Sequence, residues 1–112
     1  MFEVPRRHEL RAELQQAMSG LDVVLTATQP AEAAKIDEVP KWDLFDRPNF
    51  TMPFNVAGYP AISICAGFGA GGLPVAIQLV GKPFQEPTLL RIADAFEKAT
   101  PFRRQRPALV SA

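Results

Sequence analysis

Serine hydroxyls are the first candidates for chemistry in this chain, and there are three: Ser19, Ser63 and Ser111. A catalytic serine needs a base to take its proton and donors to stabilise the oxyanion that forms. Ser19 falls at the end of a predicted helix and Ser111 lies in the tail. Ser63 lies inside a predicted buried strand, where its hydroxyl is expected to bond locally. Because the sequence also has no Gly-x-Ser-x-Gly elbow, the residues alone predict no nucleophile.

The acidic and metal-binding side chains form no cluster either. The carboxylates between positions 37 and 46 lie in one polar stretch, without the apolar surroundings that a general acid requires. The only imidazole is His8 and the only thiol is Cys65, and a metal site needs several such ligands close together. We predict a solvated His8, a packed Cys65 and no metal site.

Residues 67–72, GFGAGG, resemble a phosphate-binding glycine loop only superficially. Such loops lead into a helix N-terminus, and in nucleotide hydrolases they carry a lysine followed by Ser or Thr. Here the glycines lead through Leu73 and Pro74 into a predicted strand. We therefore predict a hairpin turn whose glycines adopt positive backbone dihedrals.

Composition bounds the class of protein. The chain has 112 residues, 47% of them hydrophobic, which is enough for one small domain. Its twelve basic and twelve acidic side chains balance, so there is no basic stripe for nucleic acid, and Arg103, Arg104 and Arg106 are interpreted as a solvated tail. A lone cysteine excludes an internal disulfide and fits a reduced, cytoplasmic setting. The N-terminus lacks an apolar signal core and the longest apolar runs are too short for a bilayer, so no membrane partner is expected.

The spacing of apolar residues and the positions of glycine and proline predict six elements along the chain. The predicted helices cover residues 6–18, 50–57 and 86–99, and the predicted strands cover residues 22–26, 61–66 and 75–80. Gly20 and Gly58 stand where left-handed residues end helices, and Pro101 stops the last helix. The stretch 27–48 has no regular pattern and is long for a loop in a compact domain.

The strands define the fold class. Two of them are apolar on both faces, which predicts strands covered on both sides, and the short link between them predicts antiparallel neighbours. We predict an α/β fold with about three strands of a mixed sheet and covering helices. The whole chain is expected to be one segment, residues 1–112, made of a helix (1–20), a strand and long loop (21–48), and a short helix, β-hairpin, final helix and tail (49–112).

The helical cover is predicted to be too small for these strands. A sheet of three buried strands needs helices over both faces, and the sequence offers only two long amphipathic helices. A chain of this length leaves about 35–40% of its unfolded-state surface exposed after folding. Some apolar surface is therefore expected to meet a partner, which is either a missing N-terminal portion or a second copy through self-association.

Several sequence blocks together carry a family resemblance. DVVLTATQP at residues 22–30, FTMPFNVAGYPAIS at 50–63, GLPVAIQLVG at 72–81 and PFQE at 83–86 resemble, in order and spacing, the C-terminal end of the amidase signature family. Ala27 and Cys65 depart from it, because the family usually has proline there. The resemblance implies acyl transfer from a carboxamide through a serine, with a small-molecule amide bound in the complete enzyme and no cofactor.

The catalytic Ser-Ser-Lys residues of that family belong to an earlier part of a longer chain, and none is assigned to this sequence. The segment is therefore expected to be inactive alone while it shapes the core and the substrate pocket. Whether it is an enzyme in its own right is left open. The alternative is a free-standing, non-catalytic module whose amidase-like scaffold serves self-association or partner binding.

The resemblance also implies two substrate-binding positions, Pro48 and Met52, which match pocket-lining residues of the family. Both are apolar, which implies an apolar substrate face. The other interpretation is that Met52 fills the core under Phe54. Asn55 and Gln78 are the notable polar residues of these blocks, and we expect both to be buried, hydrogen-bonded and structural.

Overall fold

The computed structural model describes residues 4–40 and 50–109. Within these ranges the elements are α1 (Val4–Ala17), β1 (Val23–Ala27), α2 (Met52–Ala57), β2 (Ala61–Phe68), β3 (Pro74–Gly81), α3 (Glu86–Ala99) and a 3-10 helix (Phe102–Arg104). All six predicted elements are present, and each begins and ends within two residues of its predicted position. Helix α3 has the predicted bounds.

The three strands form one sheet in the order β1-β3-β2, so β3 is the central strand. Both pairs are antiparallel, as predicted for β2 and β3. The described strands contain no parallel pair, so the mixed sheet expected from the sequence is antiparallel in this part of the chain. The reason is local: a short turn joins β2 to β3, and β1 runs against β3.

Alternation along β3 sends successive side chains to opposite faces of the sheet. On the first face, Val80 is 0% exposed and packs with side chains from other elements: Met18, Ala57 and Tyr59. On the second face, Leu79 packs under α3 with Leu89 and Ala93. Full burial of a large apolar side chain such as Val80 or Leu79 contributes about 1.5–3 kcal/mol by removing it from water. The centre of the sheet is therefore covered on both faces by the chain itself.

A left-handed glycine ends α2, and a threonine side chain caps the end of α3. Gly58 has a φ of 77° and follows α2, as predicted, while the next amide, Tyr59 N–H, donates to the Phe54 carbonyl at 3.0 Å. Gly20 does not adopt a left-handed φ, so the same prediction for α1 is wrong. At the end of α3, Thr100 Oγ1 donates to the Phe96 carbonyl at 2.9 Å.

The β2–β3 turn behaves as a hairpin turn, as predicted. Gly67 and Gly72 have φ values of 148° and 81°, which only glycine adopts without strain. Gly69 and Gly71 do not have positive φ values, so the prediction is wrong for these two. Gly69 N–H donates to the Leu73 carbonyl at 2.9 Å, which closes the turn. One extra residue, Ala66, forms a bulge in β2, because Cys65 and Gly67 face consecutive residues of β3.

Residues 28–40, between β1 and the undescribed stretch 41–49, contain no helix or strand. They are nevertheless attached to the hairpin. Thr28 N–H donates to the Ala76 carbonyl at 3.2 Å, and the Glu32 carboxylate accepts hydrogen bonds from the turn. The loop prediction is confirmed over this part of the segment.

The edge strands are less buried than predicted. Leu25 of β1 is 61% exposed and Ser63 of β2 is exposed, although the sequence places both inside covered strands. Helix α3 packs on β2 and β3, and α1 and α2 cover only the Val80 end of the opposite face. The described helices are too few to cover the sheet margins.

Candidate functional site

Gln78 is the polar centre of the sheet. It is 3% exposed, and its Nε2 donates to Thr26 Oγ1 and to the Phe50 carbonyl, both at 2.9 Å. Leaving a buried amide unpaired costs about 1–3 kcal/mol, so these bonds matter for stability. The prediction that Gln78 is buried, hydrogen-bonded and structural is confirmed. One amide therefore joins the edge strand β1, the central strand β3 and the segment that enters α2.

Helix α2 is fixed at both ends. Phe50, just before the helix, is tied to the sheet through the bond described above. At the other end, Arg7 Nε of α1 donates to the Val56 carbonyl at 2.8 Å. In between, Ala57 is buried and Phe54 packs against the Val80 cluster. These contacts give a six-residue helix a defined position, although so short a helix has little stability of its own.

Met52 is the first residue of α2 and is 44% exposed. Phe54 is half-buried against the core, so the two side chains occupy different environments. This degree of exposure disfavours the interpretation in which Met52 fills the core under Phe54. The substrate role of Met52 stays a prediction. Pro48, its predicted partner, lies outside the described residues.

Ser63 is placed on the same face as Gln78, its partner in the strand register. Its Oγ lies 3.0 Å from Thr28 Oγ1, a residue 35 positions earlier, so the predicted local bond is wrong. Strand pairing brings these distant hydroxyls together. A second hydroxyl is no base for a nucleophile, so this pair is a link between the loop and the sheet rather than a catalytic pair.

Asn55 is exposed, which corrects the expectation of a buried amide. Helix α2 buries Ala57 and partly buries Phe54, and this leaves the Asn55 side chain on the outer side. Its main-chain carbonyl accepts from Gly58 N–H at 3.3 Å, a bond that any residue at this position could make. The apolar residues next to Asn55 in sequence did not predict its exposure, because other elements cover only one side of α2.

Large apolar side chains remain exposed across the described residues. Ile36 and Phe84 are almost fully exposed, and Phe84 also has a left-handed φ of 64°, which is uncommon for a bulky residue. Leu25 faces Leu79 in register but lies beyond the cover of α3. Of these three residues only Leu25 lies on a strand, where the sequence predicts uncovered apolar surface.

An open groove of about 730 Å³ lies between the hairpin tip and the residues after α3. Phe68 and Phe102 contribute to its apolar wall and meet edge to face, with ring centroids 6.4 Å apart. Half-buried Cys65 also lines the groove. The arginines of the tail, Arg103 among them, are exposed as predicted. The groove could hold a ligand by its shape, but the side chains that line it include no arrangement of groups that could perform catalysis.

The described ranges offer neither a metal cluster nor a membrane span. Within residues 4–40 and 50–109, no three His, Cys, Asp or Glu side chains are arranged to hold a metal ion. The helices of the same ranges are too short or too polar to cross a bilayer. His8 is exposed on α1.

Comparison with known proteins places this chain in a family. The family model described as Amidase matches residues 2–90, most of the chain. The chain belongs to the amidase family. The A subunit of glutamyl-tRNA(Gln) amidotransferase from Carboxydothermus hydrogenoformans is 43% identical over 102 residues, and that from Desulforudis audaxviator is 44% identical over 102 residues.

Solved amidase-family structures agree with the fold. A crystal structure of the A subunit of glutamyl-tRNA(Gln) amidotransferase from Thermotoga maritima is 40% identical, with a TM-score of 0.77 over 85% of this chain. The structure of 6-aminohexanoate cyclic dimer hydrolase is 26% identical, with a TM-score of 0.83 over 96% of this chain. The chain spans about a fifth of the length of its curated relatives, 21% of the first and 20% of the second. It spans 21% and 25% of the two solved chains.

Proposed function

We propose that this chain is the C-terminal segment of an amidase-type serine hydrolase that acts on a carboxamide. In this proposal it shapes the core and the substrate pocket, while the catalytic Ser-Ser-Lys residues lie in the rest of the enzyme. The observation that carries the proposal is α2, a short helix fixed by Gln78 and Arg7 that exposes Met52 at its first turn. A fixed helix with an exposed apolar side chain suits a pocket wall.

In the proposed reaction, the serine oxygen of the remaining enzyme attacks the amide carbonyl and the nitrogen leaves with a proton. Water then releases the acyl group from the serine. In this proposal the residues of the present chain, Met52 among them, take no part in bond breaking. They hold the apolar part of the substrate so that the carbonyl lies in reach of the serine, and positioning of this kind can supply much of a rate enhancement.

Reconstitution tests the division of labour. The chain alone is expected to release no ammonia from benzamide, and co-expression with the preceding portion of the same enzyme is expected to restore hydrolysis. A chain with Leu79→Ala, which weakens the core, serves as the control for folding. Amide hydrolysis by the purified chain alone would overturn the proposal. A preceding portion that is fully active without this chain would overturn it as well.

Met52→Lys tests the substrate face in the complete enzyme. A charge on an apolar wall is expected to raise KM for an aryl amide such as benzamide about 10-fold or more, with a smaller effect on a polar amide such as glutamine. Met52→Leu should retain the wild-type preference. Leu90→Lys, an equally drastic change at an exposed position of α3, is the matched control. An unchanged ratio of kcat/KM for the two amides in Met52→Lys removes Met52 from the pocket.

A second candidate comes from the names of the relatives. Identities of 43% and 44% to glutamyl-tRNA(Gln) amidotransferase subunits favour a role as part of such a subunit. The two candidates differ in the preferred amide, because an amidotransferase would take nitrogen from a polar donor. A complete enzyme that prefers glutamine to benzamide, whatever residue stands at position 52, would favour the second candidate.

A further inference from the structure

The link between β3 and α3 is a tight turn with an aromatic residue at its strained position. Gln85 N–H donates to the Lys82 carbonyl at 3.0 Å, so residues 82–85 form the turn, which is called the Phe84 turn below. Pro83 is its second residue, and Phe84, the third, has a φ of 64°. These are features of a type II turn, whose third position normally requires glycine or asparagine. Phe84 is the only residue other than glycine with a positive φ in the part of the chain that the structure describes.

Packing within the described residues does not explain an aromatic side chain here. Phe84 precedes Gln85, the N-cap of α3, and a hydrophobic residue at this position often packs on the fourth residue of the helix, here Leu89. Leu89 instead lies in the core and is 3% exposed, whereas Phe84 is 88% exposed. A left-handed backbone lowers the stability of a chain with a bulky residue there, and burial of the ring within the described residues does not offset this loss.

The Phe84 turn has a fixed base. Lys82 Nζ donates to the Ser19 carbonyl at 3.4 Å, which joins the turn to the end of α1. Leu89 of α3 packs so closely on Gly81 that a Cβ there would lie 3.0 Å from Leu89 Cγ. Lys82 and Pro83 line two open hollows of about 410 and 390 Å³, so the turn forms a ridge between them. A ring on a fixed ridge loses little entropy when a partner binds it.

The cost at Phe84 is present in every molecule, so a permanent partner explains it best. A second copy would cover the ring only at sufficient protein concentration, whereas another part of the same enzyme would always cover it. The fold of this chain recurs within solved amidase-family chains, of which it makes up about a fifth to a quarter. Leu21, which is 47% exposed, precedes β1 at the same end of the sheet, since Val23 pairs with Gly81. The exposed apolar surface thus extends from the turn to the edge strand.

We propose that Phe84 is an anchor that inserts into an apolar pocket of the preceding portion of the amidase. This inference rests on the proposed function, because that proposal supplies the partner. Lys82, Gln85 and Glu86 surround the ring in sequence with polar side chains, and a central aromatic residue with a polar rim is typical of residues that dominate an interface. Burial of the ring in the partner offsets the strain of the turn.

Hydroxyl-radical footprinting measures the exposure of the native ring without a substitution. Modification of Phe84 is expected to be about tenfold or more lower in the complete enzyme than in the isolated chain, because an anchor is desolvated. Leu89 is buried in the isolated chain and gives the reference for a protected side chain. Equal modification of Phe84 in both samples would overturn the proposal. Protection that grows with the concentration of the isolated chain would identify a second copy as the partner and would overturn it as well.

Phe84→Gly separates strain from binding. In the isolated chain the substitution relieves the left-handed backbone, so the thermal midpoint should rise or stay the same, and a fall would overturn the proposal. In the complete enzyme the midpoint should fall by about 4 °C or more, because the pocket loses its occupant. A smaller fall there would also overturn the proposal.

Two further variants support the interpretation of these midpoints. Phe84→Asn also tolerates a positive φ without the flexibility of glycine, and it should show the same difference between the isolated chain and the complete enzyme. Ile36→Gly is the matched control, because Ile36 is 96% exposed and has no positive φ. A rise with Ile36→Gly as large as that with Phe84→Gly would show that strain is not the cause, and this result would contradict the proposal.

Failure of this inference and failure of the proposed function have different signatures. If Phe84 stays exposed in a complete enzyme that hydrolyses benzamide, the anchor is refuted and the proposed function stands. If Phe84 is protected in a complex that does not hydrolyse amides, the anchor is supported and the proposed function fails.

Discussion

The central strand β3 and the edge strand β1 have similar sequences and different surroundings. β3 is buried without interruption from Gln78 to Gly81, whereas no residue of β1 is fully buried. Leu79 and Leu25 illustrate the contrast, because they are register partners on the same face. Leu79 is 3% exposed under α3, and Leu25 is 61% exposed beside it. An apolar run therefore identifies a strand without telling which part of the protein covers it.

The contrast indicates where the remaining four fifths of the relatives would add cover. Helix α3 is a single layer over β2 and β3, and the margin of the sheet at β1 has no equivalent among the described residues. Apolar edges of this kind invite association in an isolated chain. Three pairs of facing residues in the β1–β3 register, called rows below, allow mutations to compare how well the central strand and the edge strand are covered.

The largest effect is expected in the Leu25–Leu79 row. Leu79→Ala should lower the free energy of unfolding by about 2–5 kcal/mol, because it leaves a cavity under α3. Leu25→Ala in the isolated chain should change it by about 0.5 kcal/mol or less, since the side chain is largely in water. Urea unfolding followed by circular dichroism gives both values. Equal costs would mean that the edge is as well covered as the centre.

The same pair sharpens the comparison in the complete enzyme. If the remaining portion covers β1, the cost of Leu25→Ala should rise there to about 2 kcal/mol or more. A cost that stays small in the complete enzyme would place the additional cover somewhere other than the β1 margin.

An intermediate effect is expected in the Thr26–Gln78 row. Gln78→Leu should cost about 1–3 kcal/mol, because the Thr26 hydroxyl and the Phe50 carbonyl both lose their donor. It should also increase exchange of amides in α2. Gln16→Leu, on the exposed side of α1, is the control for the change of residue type. If Gln78→Leu left the free energy of unfolding unchanged, water would have to replace the amide, and the Thr26–Gln78 pair would have to be accessible to solvent.

The smallest effect is expected in the Val23–Gly81 row. A Cβ at Gly81 would lie 3.0 Å from Leu89 Cγ, so Gly81→Ala should destabilise by about 1 kcal/mol through overpacking. Gly20→Ala meets no atom within 4 Å and should instead stabilise by about 0.5 kcal/mol, by restricting the unfolded chain. Thermal midpoints of the two variants should move in opposite directions. A harmless Gly81→Ala would show that α3 lies loosely on β3.

Sequence patterns succeeded mainly where the signal is local, although the local prediction of a left-handed Gly20 after α1 is wrong. Pro101 and the apolar spacing of α3 predicted its bounds, Gly58 predicted the end of α2, and the glycine-rich link predicted the antiparallel hairpin. Gln78 was identified because an amide inside an apolar strand must find partners. These inferences need only a few neighbouring residues and general stereochemistry.

The failures concern contacts between distant residues and the amount of cover. Exposure of Leu25, Ser63 and Asn55 depends on which helices lie over them, and periodicity carries no such information. The Glu32 contact joins residues 39 positions apart, and the sequence interpretation attributed Gly69 to backbone conformation, although it is the Glu32 carboxylate that a side chain there would meet. For the candidate site, the family resemblance led to the prediction for Met52, and nothing in the sequence indicated that α2 would expose this residue.

The extra residue in β2, Ala66, shifts the alternation of side chains between the two faces of the sheet. Up to Cys65 the strand follows one parity, and beyond Ala66 it follows the other, so Phe68 is aligned with Pro74 instead of lying one step out of phase. Phe68 can then meet Phe102, which ties the chain after α3 to the hairpin. If Ala66 paired with Val75 instead of being left out of the register, Phe68 would turn to the opposite face of the sheet and lose its contact with Phe102, without a change in any residue of the tail itself.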